Sequence, residues 1–274
     1  MSMQTVADKG LVLLGCGKMG SAMLQGWLSD GLPLKSVYVL DPYPSDWVQG
    51  LAAQGLNLNI DLPQSPAICI IAVKPQMMGD ALPALLAVAN GDTIFLSIAA
   101  GTSIQSFENV FGSDTSIVRA MPNTPAAIGR GITALIGNNT STVADVSLCE
   151  KLLEAVGLTV VLDSEDQMDA VTAVSGSGPA YVFHLIETLA AAGVEQGLPA
   201  KLAMKLAKAT VSGSGQLADL ADEDPAQLRI NVTSPNGTTQ AALEVLMNPE
   251  TGFPKVLSEG VKAAADRSRE LGAK

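Results

Sequence analysis

Short, uninterrupted apolar segments alternate with amphipathic stretches from the N-terminus to Asp163. In chain order these segments read LVLL, SVYVL, AICIIAV, DTIFLSIAAG, TSIVRAM, GITALIG and GLTVVLD. Strands that are apolar on both faces are typical of a parallel sheet whose two sides are covered by helices. The pattern therefore predicts an α/β fold with a mostly parallel sheet in this part of the chain.

The pattern changes after Asp163. No strand-like segment follows, and helical stretches are separated by GLP, DEDP, SPNG and GFP. Glycine at the end of one helix and proline at the start of the next are the expected boundary residues. We therefore predict two domains, a sheet domain over 1–163 and an all-helical domain over 164–274.

A glycine-rich turn, GCGKMG, follows the first apolar segment and precedes a helical stretch. Gly15 permits a tight turn, Gly17 lets the backbone approach a pyrophosphate, and Gly20 lets the helix lie close to the strand. Amides of the first helical turn, including Lys18 and Met19, would bind the pyrophosphate. The order strand, glycine turn, helix, strand predicts a Rossmann-type dinucleotide site, and a glycine-rich turn of some other α/β protein is the alternative.

Asp41 follows the second apolar segment. A carboxylate at this position accepts hydrogen bonds from the hydroxyls of the adenosine ribose. The residues after it, PYPSDW, contain no Arg or Lys that would hold a 2′-phosphate. The position therefore favours NADH over NADPH, and the alternative is that Asp41 and Pro42 only begin a turn.

Three later turns, VKPQ, SIAAG and AMPNTP, follow strands of the same predicted sheet. Ligands of such sheets bind outside the carboxyl ends of the strands. We predict that the cofactor is contacted there by Ala72, Val73, Lys74, Pro75, Ala99, Ala100, Gly101 and Asn123. For Pro75 and Pro122, simple termination of a strand is an equal alternative.

One helix of the second domain, from Pro179 to about Gln196, is apolar around nearly its whole circumference. Such a helix is either buried or covered by another subunit. Because about 110 residues build only a small core, we predict that a second chain covers this helix in a homodimer. The next helical stretch contains SGSG at 212–215, where small residues favour close helix packing.

The segment NVTSPNGTT contains a turn, Ser234–Gly237, and two threonines that open the next helix. The amides of Gly237, Thr238 and Thr239 lie at the positive end of that helix dipole and suit a carboxylate. An ordinary helix cap is an equal alternative.

Acid–base candidates are few. His184 is the only histidine, and it lies on the apolar helix. A histidine in that setting is more often a core or interface residue than a proton donor, so chemistry of the Ser-His-Asp type is not expected.

Composition narrows the partners and the compartment. The chain has 16 basic and 27 acidic residues, a net charge of −11. Nucleic acid and anionic membrane surfaces are therefore not expected partners, and no apolar run approaches the about 20 residues that span a bilayer. The three widely spaced cysteines, Cys16, Cys69 and Cys149, indicate neither a metal site nor a disulfide framework. We expect a cytoplasmic protein with no secretory signal.

Taken together, GCGKMG, AVKPQ, AMPNTPAAIGRG, DAVTAVSGSGPAYVF, GLP and NVTSPNGTT resemble the pyrroline-5-carboxylate reductase family in the same order over nearly the whole chain. SGSGPAY followed by SP-x-G-x-T is the most specific pair. The resemblance implies a Rossmann domain, a C-terminal helical domain that dimerises by helix exchange, NADPH or NADH as cofactor, and in many members a decamer of five dimers.

The resemblance also implies residue roles. The substrate carboxylate would rest on Ser234–Thr239, with Thr239 bonding the ring nitrogen as the catalytic candidate. Asn59 would lie near the adenosine ribose, and Ser175 and Ser177 belong to a loop expected over the nicotinamide and the substrate. The family's SPGG reads SPNG here. If Asn236 has a positive φ, asparagine is the side chain most able to tolerate it.

Two other functions remain open. A β-hydroxyacid dehydrogenase also joins a Rossmann domain to helices, and its catalytic lysine lies on the helix after its glycine loop. The corresponding helix of this chain has no lysine, since the next lysine after the SGSG loop is Lys201. A non-catalytic NAD(P)H sensor would bind the cofactor and reduce nothing, whereas a complete substrate loop favours an enzyme. We therefore predict the reduction of 1-pyrroline-5-carboxylate to L-proline.

Overall fold

The computed structural model describes residues 2–272 as two compact units. The first comprises residues 2–176 together with 265–272, and the second comprises 177–264. The predicted boundary at residue 163 falls inside the first unit, because the segment after it bonds to the sheet domain through Glu165 and Ser175. The compact units divide between Gly176 and Ser177. A functional division of the chain at residue 163 stays a proposal.

One sheet of eight strands lies in the first unit. The strands are β1 Leu11–Leu14, β2 Val37–Leu40, β3 Asn57–Leu58, β4 Ile68–Ile71, β5 Ile94–Ser97, β6 Ile117–Met121, β7 Gly131–Gly137 and β8 Gly157–Val161. Their order is β3-β2-β1-β4-β5-β6-β7-β8, and every neighbouring pair is parallel except β6 and β7. The predicted α/β fold with a mostly parallel sheet is confirmed. Only β3 was not predicted, because two residues give no readable pattern.

Helices cover both faces of this sheet. They are α1 Met3–Lys9, α2 Lys18–Ser29, α3 Asp46–Ala52, α4 Met78–Ala81, α5 Ile104–Phe111, α6 Val143–Leu153 and α7 Met168–Val171. Leu11 and Leu13 of β1 belong to one apolar cluster with Trp27 of α2. Val12, between them, belongs to another cluster with Phe107 of α5. Burial on both sides is the physical reason why central strands such as β1 and β4 are uninterrupted apolar segments.

The second unit is all-helical, as predicted. Its helices are α8 Gly178–Glu195, α9 Ala200–Leu220, α10 Pro225–Asn231, α11 Thr238–Leu246 and α12 Phe253–Gly272, and the end of α12 from Ala265 belongs to the first unit. None of the helices over residues 2–272 is both long and apolar enough to cross a membrane.

Small residues bring α8 and α9 together. Ala190, Ala203 and Ala207 form their buried cluster, and a Cβ on Gly193 would lie 3.3 Å from the Ala203 Cβ. By contrast, a Cβ on Gly213 or Gly215 would meet nothing within 4 Å in the described part of the chain. The close packing predicted for SGSG at 212–215 is therefore wrong within this chain, and Gly193 provides the close approach.

The apolar surface of α8 is largely exposed in this chain. Phe183 is 59% exposed, and Val182, Leu185, Leu189 and Val194 are exposed as well. Burial within the chain, one of the two alternatives for this helix, is therefore wrong. His184 is also exposed, with its Nδ1 3.3 Å from a carboxylate oxygen of Glu187, so it is not a core residue.

Candidate functional site

The strand order places a switch point between β1 and β4. The chain proceeds from β1 to β2 and β3 on one side and continues with β4, β5 and β6 on the other. Ligands of such sheets bind outside the carboxyl ends of the strands at this point. The Ala72 amide donates to the Leu14 carbonyl at 2.8 Å, and a Cβ on Gly15 would lie 2.7 Å from Cγ1 of Val73. The structure thus brings together Gly15, Ala72 and Val73.

The three glycines of GCGKMG have different structural roles. Gly15 has φ +87°, and a Cβ on Gly20 would lie 2.5 Å from the Gly15 carbonyl oxygen, so the fold requires both. A Cβ on Gly17 would meet nothing within 4 Å among the described residues. The space in front of Gly17 is therefore open, at the N-terminal end of α2.

The amides at the start of α2 complete this cradle. The first hydrogen bond of the helix runs from the Ser21 amide to the Gly17 carbonyl at 2.8 Å. The amides of Lys18, Met19 and Gly20 therefore have no carbonyl partner inside the helix, and they lie at its positive end. Open space together with these donors fits the diphosphate of a dinucleotide.

Burial raises the pKa of the Cys16 thiol. A hydrogen bond with the Ser21 hydroxyl lowers it in part, and the Asp41 carboxylate raises it further. The thiol therefore stays protonated at neutral pH and adds no negative charge beside a bound diphosphate. Cys16, Cys69 and Cys149 are all free and buried, and no metal-binding group of three or more His, Cys, Asp or Glu side chains occurs over residues 2–272.

Asp41 and Asn59 form a fixed unit at the end of β2. The Asp41 carboxylate accepts from the amides of Cys16 and Tyr43, each at 2.8 Å. The Asn59 side chain accepts from the Asp41 amide at 2.9 Å and donates to its carbonyl at 2.8 Å. Asn59 holds this position with φ +51°. The two predicted adenosine-side residues are thus adjacent, and Asn59 orients the backbone of Asp41.

The predicted nicotinamide-side residues follow β4 and β5. Lys74 and Pro75 are exposed at the start of a 3₁₀ turn, Pro75–Met77. Ala99 is buried and its amide donates to the Ser97 hydroxyl, while Ala100 is exposed and Gly101 has φ +72°. Because β4 and β5 are parallel neighbours, these residues lie at one edge of the sheet, the edge that also carries Gly15.

Asn123 and Ser175 meet at the same edge. The Asn123 side chain accepts from the Ile132 amide at 3.0 Å and donates to the Ser175 carbonyl at 3.2 Å. Ser175 lies in a π-helical turn, Thr172–Gly176, and its hydroxyl donates to the Val171 carbonyl at 3.1 Å. The hydroxyl proton of Ser175 is therefore used in a bond to the end of α7, which precedes the turn. Ser177 belongs to the second unit, where it is the N-cap of α8.

The predicted carboxylate loop lies in the second unit. The Gly237 amide donates to the Ser234 carbonyl at 3.1 Å, and α11 begins at Thr238. Its first internal bond joins the Ala241 amide to the Gly237 carbonyl. The amides without a carbonyl partner inside the helix are thus those of Thr238, Thr239 and Gln240. This set begins one residue later than the predicted set of carboxylate-binding amides.

Asn236 has φ +56°, so this position is in the left-handed region, where asparagine is the side chain most able to replace the family's glycine. Its amide donates to the Gln240 side chain at 2.8 Å. A Cβ on Gly237 would lie 2.5 Å from the Ser234 hydroxyl oxygen and 3.0 Å from the Ser234 carbonyl oxygen, so glycine favours the tight approach of this turn.

Three functional candidates escaped the sequence patterns. Arg119 of β6, a buried residue, pairs with Glu165 at 2.5 Å, and the same carboxylate oxygen accepts from the Ile104 amide at the start of α5. These residues are far apart in the chain, so no local spacing marks them. The Tyr181 hydroxyl in the first turn of α8 is buried without a hydrogen-bond partner among the described residues, a state that is rare in folded proteins.

Two family models match the chain. Residues 165–271 match the model described as pyrroline-5-carboxylate reductase dimerisation, and residues 10–101 match the model described as NADP oxidoreductase, coenzyme F420-dependent. The pyrroline-5-carboxylate reductase of Pseudomonas aeruginosa is 35% identical over 264 residues, which cover 95% of this chain and 96% of that protein. The Synechocystis sp. enzyme of the same name is 45% identical over 207 residues, 76% of each chain.

A solved structure gives the corresponding likeness in three dimensions. The crystal structure of Plasmodium falciparum pyrroline carboxylate reductase with NADP bound superposes with a TM-score of 0.82 at 29% identity. The match covers 97% of this chain and 99% of that chain. The likeness therefore extends over nearly the whole of both chains.

Proposed function

The chain belongs to the pyrroline-5-carboxylate reductase family, and on that premise we propose that it reduces the C5 imine carbon of 1-pyrroline-5-carboxylate to give L-proline. It is an oxidoreductase of proline biosynthesis that uses a nicotinamide cofactor. The observation that carries the proposal is the alignment with a reductase relative over 95% of the chain.

Bound NAD(P)H would supply the hydride. The residues of the first unit fit this cofactor, because Gly17 leaves open space at a helix N-terminus whose amides suit a diphosphate. Lys74, Pro75 and the segment 99–101 share this sheet edge and would bind the nicotinamide half. Their part in the reaction is to orient the cofactor, which lowers the entropic cost of reaching the reactive geometry.

NADH is the cofactor we propose as preferred. The Asp41 carboxylate is held at the end of β2 by two backbone amides, and a fixed negative charge there repels a 2′-phosphate. The Asn59 amide is already bonded to the Asp41 backbone, so its role is to hold Asp41 in place.

The start of α11 is the proposed substrate-binding segment. The amides of Thr238, Thr239 and Gln240 would bind the carboxylate of the substrate, since they lie at the positive end of a nine-residue helix. The Ser234–Gly237 turn shapes the approach to these amides. The Thr239 hydroxyl would orient the ring nitrogen.

The reaction needs no strong buried acid. A protonated imine is already electrophilic, so the protein's task is to position it and to exclude water. The Ser175–Pro179 segment is the proposed cover over the nicotinamide. His184 does not enter the proposal, because its side chain is exposed and lies beside Glu187 on α8.

The protein self-associates through its C-terminal part, which matches a dimerisation model over 165–271. We propose a homodimer in which α8 is covered by a second copy, and assembly of five such dimers into a decamer. Exposure of Phe183 and its apolar neighbours on α8 supports this, since an isolated chain leaves them in water.

A cytoplasmic location completes the proposal. Cys16, Cys69 and Cys149 are free thiols, which accords with a reducing compartment. Proline biosynthesis from a diffusible imine requires no membrane contact.

A single spectrophotometric assay tests the proposed activity. We expect oxidation of NADH or NADPH, followed as loss of nicotinamide absorbance, when 1-pyrroline-5-carboxylate is added. A 3-hydroxy acid with the oxidised cofactor is the control that would reveal a β-hydroxyacid dehydrogenase. Cofactor binding without turnover of either substrate would identify a sensor and contradict the reductase.

A further inference from the structure

Asn123 lies two residues beyond the end of β6 and is only 9% exposed. Its carbonyl oxygen accepts from the Ile132 amide at 3.0 Å, and its Nδ2 donates to the Ser175 carbonyl at 3.2 Å. Both polar atoms of the side chain are therefore bonded to backbone groups of other segments. Removal of either bond would leave a buried polar group without its partner, which is unfavourable.

The segment that Asn123 holds is the π-helical turn Thr172–Gly176. Turns of this kind are rare and occur frequently at functional sites. The hydroxyls of Thr172 and Ser175 donate to the carbonyls of Met168 and Val171, four residues earlier in each case. These bonds join the turn to α7, the helix that precedes it, but do not attach the turn to the sheet.

The end of β6 attaches the turn to the sheet through two residues. A Cβ on Gly176 would lie 2.6 Å from the terminal methyl of Met121, the last residue of β6, so this side chain packs directly on the turn. Asn123 adds the hydrogen bond to the Ser175 carbonyl. Because β6 is parallel to β5, its carboxyl end lies at the same sheet edge as the glycine cradle.

We propose that Asn123 is a positioning residue, which fixes the Thr172–Gly176 turn at the cofactor edge of the sheet and does not itself bind the cofactor. Turnover depends on this placement because the turn leads directly into the Ser177-Gly178-Pro179 start of α8. The inference deepens the proposed reductase function and rests on it.

Two substitutions distinguish the two hydrogen bonds that the Asn123 side chain makes. Asn123→Asp keeps the oxygen that accepts from Ile132 but replaces the donor to Ser175 with an acceptor, whereas Asn123→Ala removes both bonds. We expect both variants to lower kcat roughly tenfold, the scale of one lost hydrogen bond with its unpaired partner. The Kd for NADH, measured by fluorescence titration, stays within twofold of the wild-type value. Amide hydrogen exchange over 172–178 becomes faster.

Asn138→Ala is the matched control. Asn138 also bonds to the backbone of distant segments, since it accepts from the Ile117 amide at the opposite end of β6 and donates to the Thr115 carbonyl. Its loss lowers the Tm, but kcat and the exchange rate over 172–178 stay unchanged.

Three outcomes would overturn the proposal. A tenfold rise in the Kd for NADH with unchanged kcat would make Asn123 a direct cofactor ligand. Unchanged exchange over 172–178 would show that Asn123 does not hold the turn. An equal loss of kcat in Asn138→Ala would make the effect general destabilisation. The exchange and binding measurements need no turnover, so failure of the wild-type protein to reduce the imine would refute the proposed function separately.

Discussion

The carboxylate of Asp41 accepts a hydrogen bond at 2.8 Å from the backbone amide of Cys16, inside the glycine turn that follows β1. One acidic side chain thus joins the ends of two neighbouring strands. It shapes the glycine turn at the cofactor edge of the sheet. The proposed preference for NADH rests on the charge of the same side chain.

Replacement of Asp41 by Asn tests the cofactor preference. We expect the ratio of kcat/KM for NADH to that for NADPH to fall roughly fivefold, because two like charges about 4 Å apart in water repel by about 1 kcal/mol. Steady-state assays with both cofactors give the ratio. Asp46→Asn, which removes an acidic side chain from the first turn of α3, is the control for net charge. A wild-type enzyme that already prefers NADPH would contradict the argument.

Gly17→Ala is expected to weaken cofactor binding, whereas Gly20→Ala is expected to lower stability. The Gly17 methyl points into open space, so the Tm should stay within a degree or two while the Kd for the cofactor rises at least tenfold. The Gly20 methyl would meet the Gly15 carbonyl at 2.5 Å, so the backbone must shift and the Tm should fall by several degrees. Thermal denaturation and cofactor titration of both variants check this, and an equal loss of Tm in the two would refute the assignment of Gly17 to the ligand.

Thr239→Ala should lower kcat/KM for the imine roughly 10–100-fold, the scale of one lost positioning contact. Stability should change little, because Thr239 lies at a helix start and is only half-buried. Thr140→Ala is the matched control, since the Thr140 hydroxyl bonds to the Ser113 carbonyl at an exposed site beyond β7. Undiminished turnover in Thr239→Ala would remove this residue from the mechanism.

The positive φ of Asn236 predicts an unusual order of stability. Asn236→Gly should match the wild type within a few tenths of a kcal/mol, whereas Asn236→Ala should lose about 1 kcal/mol, because alanine keeps the Cβ but lacks the short polar side chain that lets asparagine tolerate the left-handed region. Guanidinium unfolding at fixed protein concentration measures both. Asn139→Ala, at an exposed position in the loop after β7, should be neutral. If the alanine and glycine variants were equally stable, the left-handed conformation would be in doubt.

Phe183→Glu should convert the proposed dimer into monomers. The side chain is 59% exposed on the apolar face of α8, so a charge there is tolerated in the single chain but disfavours coverage by a second copy. Light scattering coupled to size exclusion reports the mass directly. Val143→Glu, at an exposed apolar position at the start of α6, is the control. An unchanged mass for Phe183→Glu would place the interface elsewhere.

Local patterns were sufficient for most of the fold. Mostly apolar segments predicted seven of the eight strands over residues 2–272, because burial on both faces favours apolar residues throughout the central strands. The spacing of Gly15, Gly17 and Gly20 indicated the cofactor cradle, since Gly15 and Gly20 meet local steric requirements of the turn and Gly17 leaves open space at the start of α2. The sequence showed that asparagine could tolerate a positive φ at position 236, and the structure shows that Asn236 adopts one.

The sequence by itself therefore determined the α/β sheet, the helical C-terminal part, the glycine cradle and the family. Tertiary structure alone decided which distant groups meet. Asn123 and Ser175 lie 52 residues apart and Arg119 and Glu165 lie 46 apart, so no periodicity marks either pair. It also decided that the Gly237 amide is used inside its turn and that α8 leaves its apolar face exposed. The physical reason is that sterics and periodicity act between near neighbours in the chain, whereas hydrogen-bond partners and burial depend on where the whole chain brings each group.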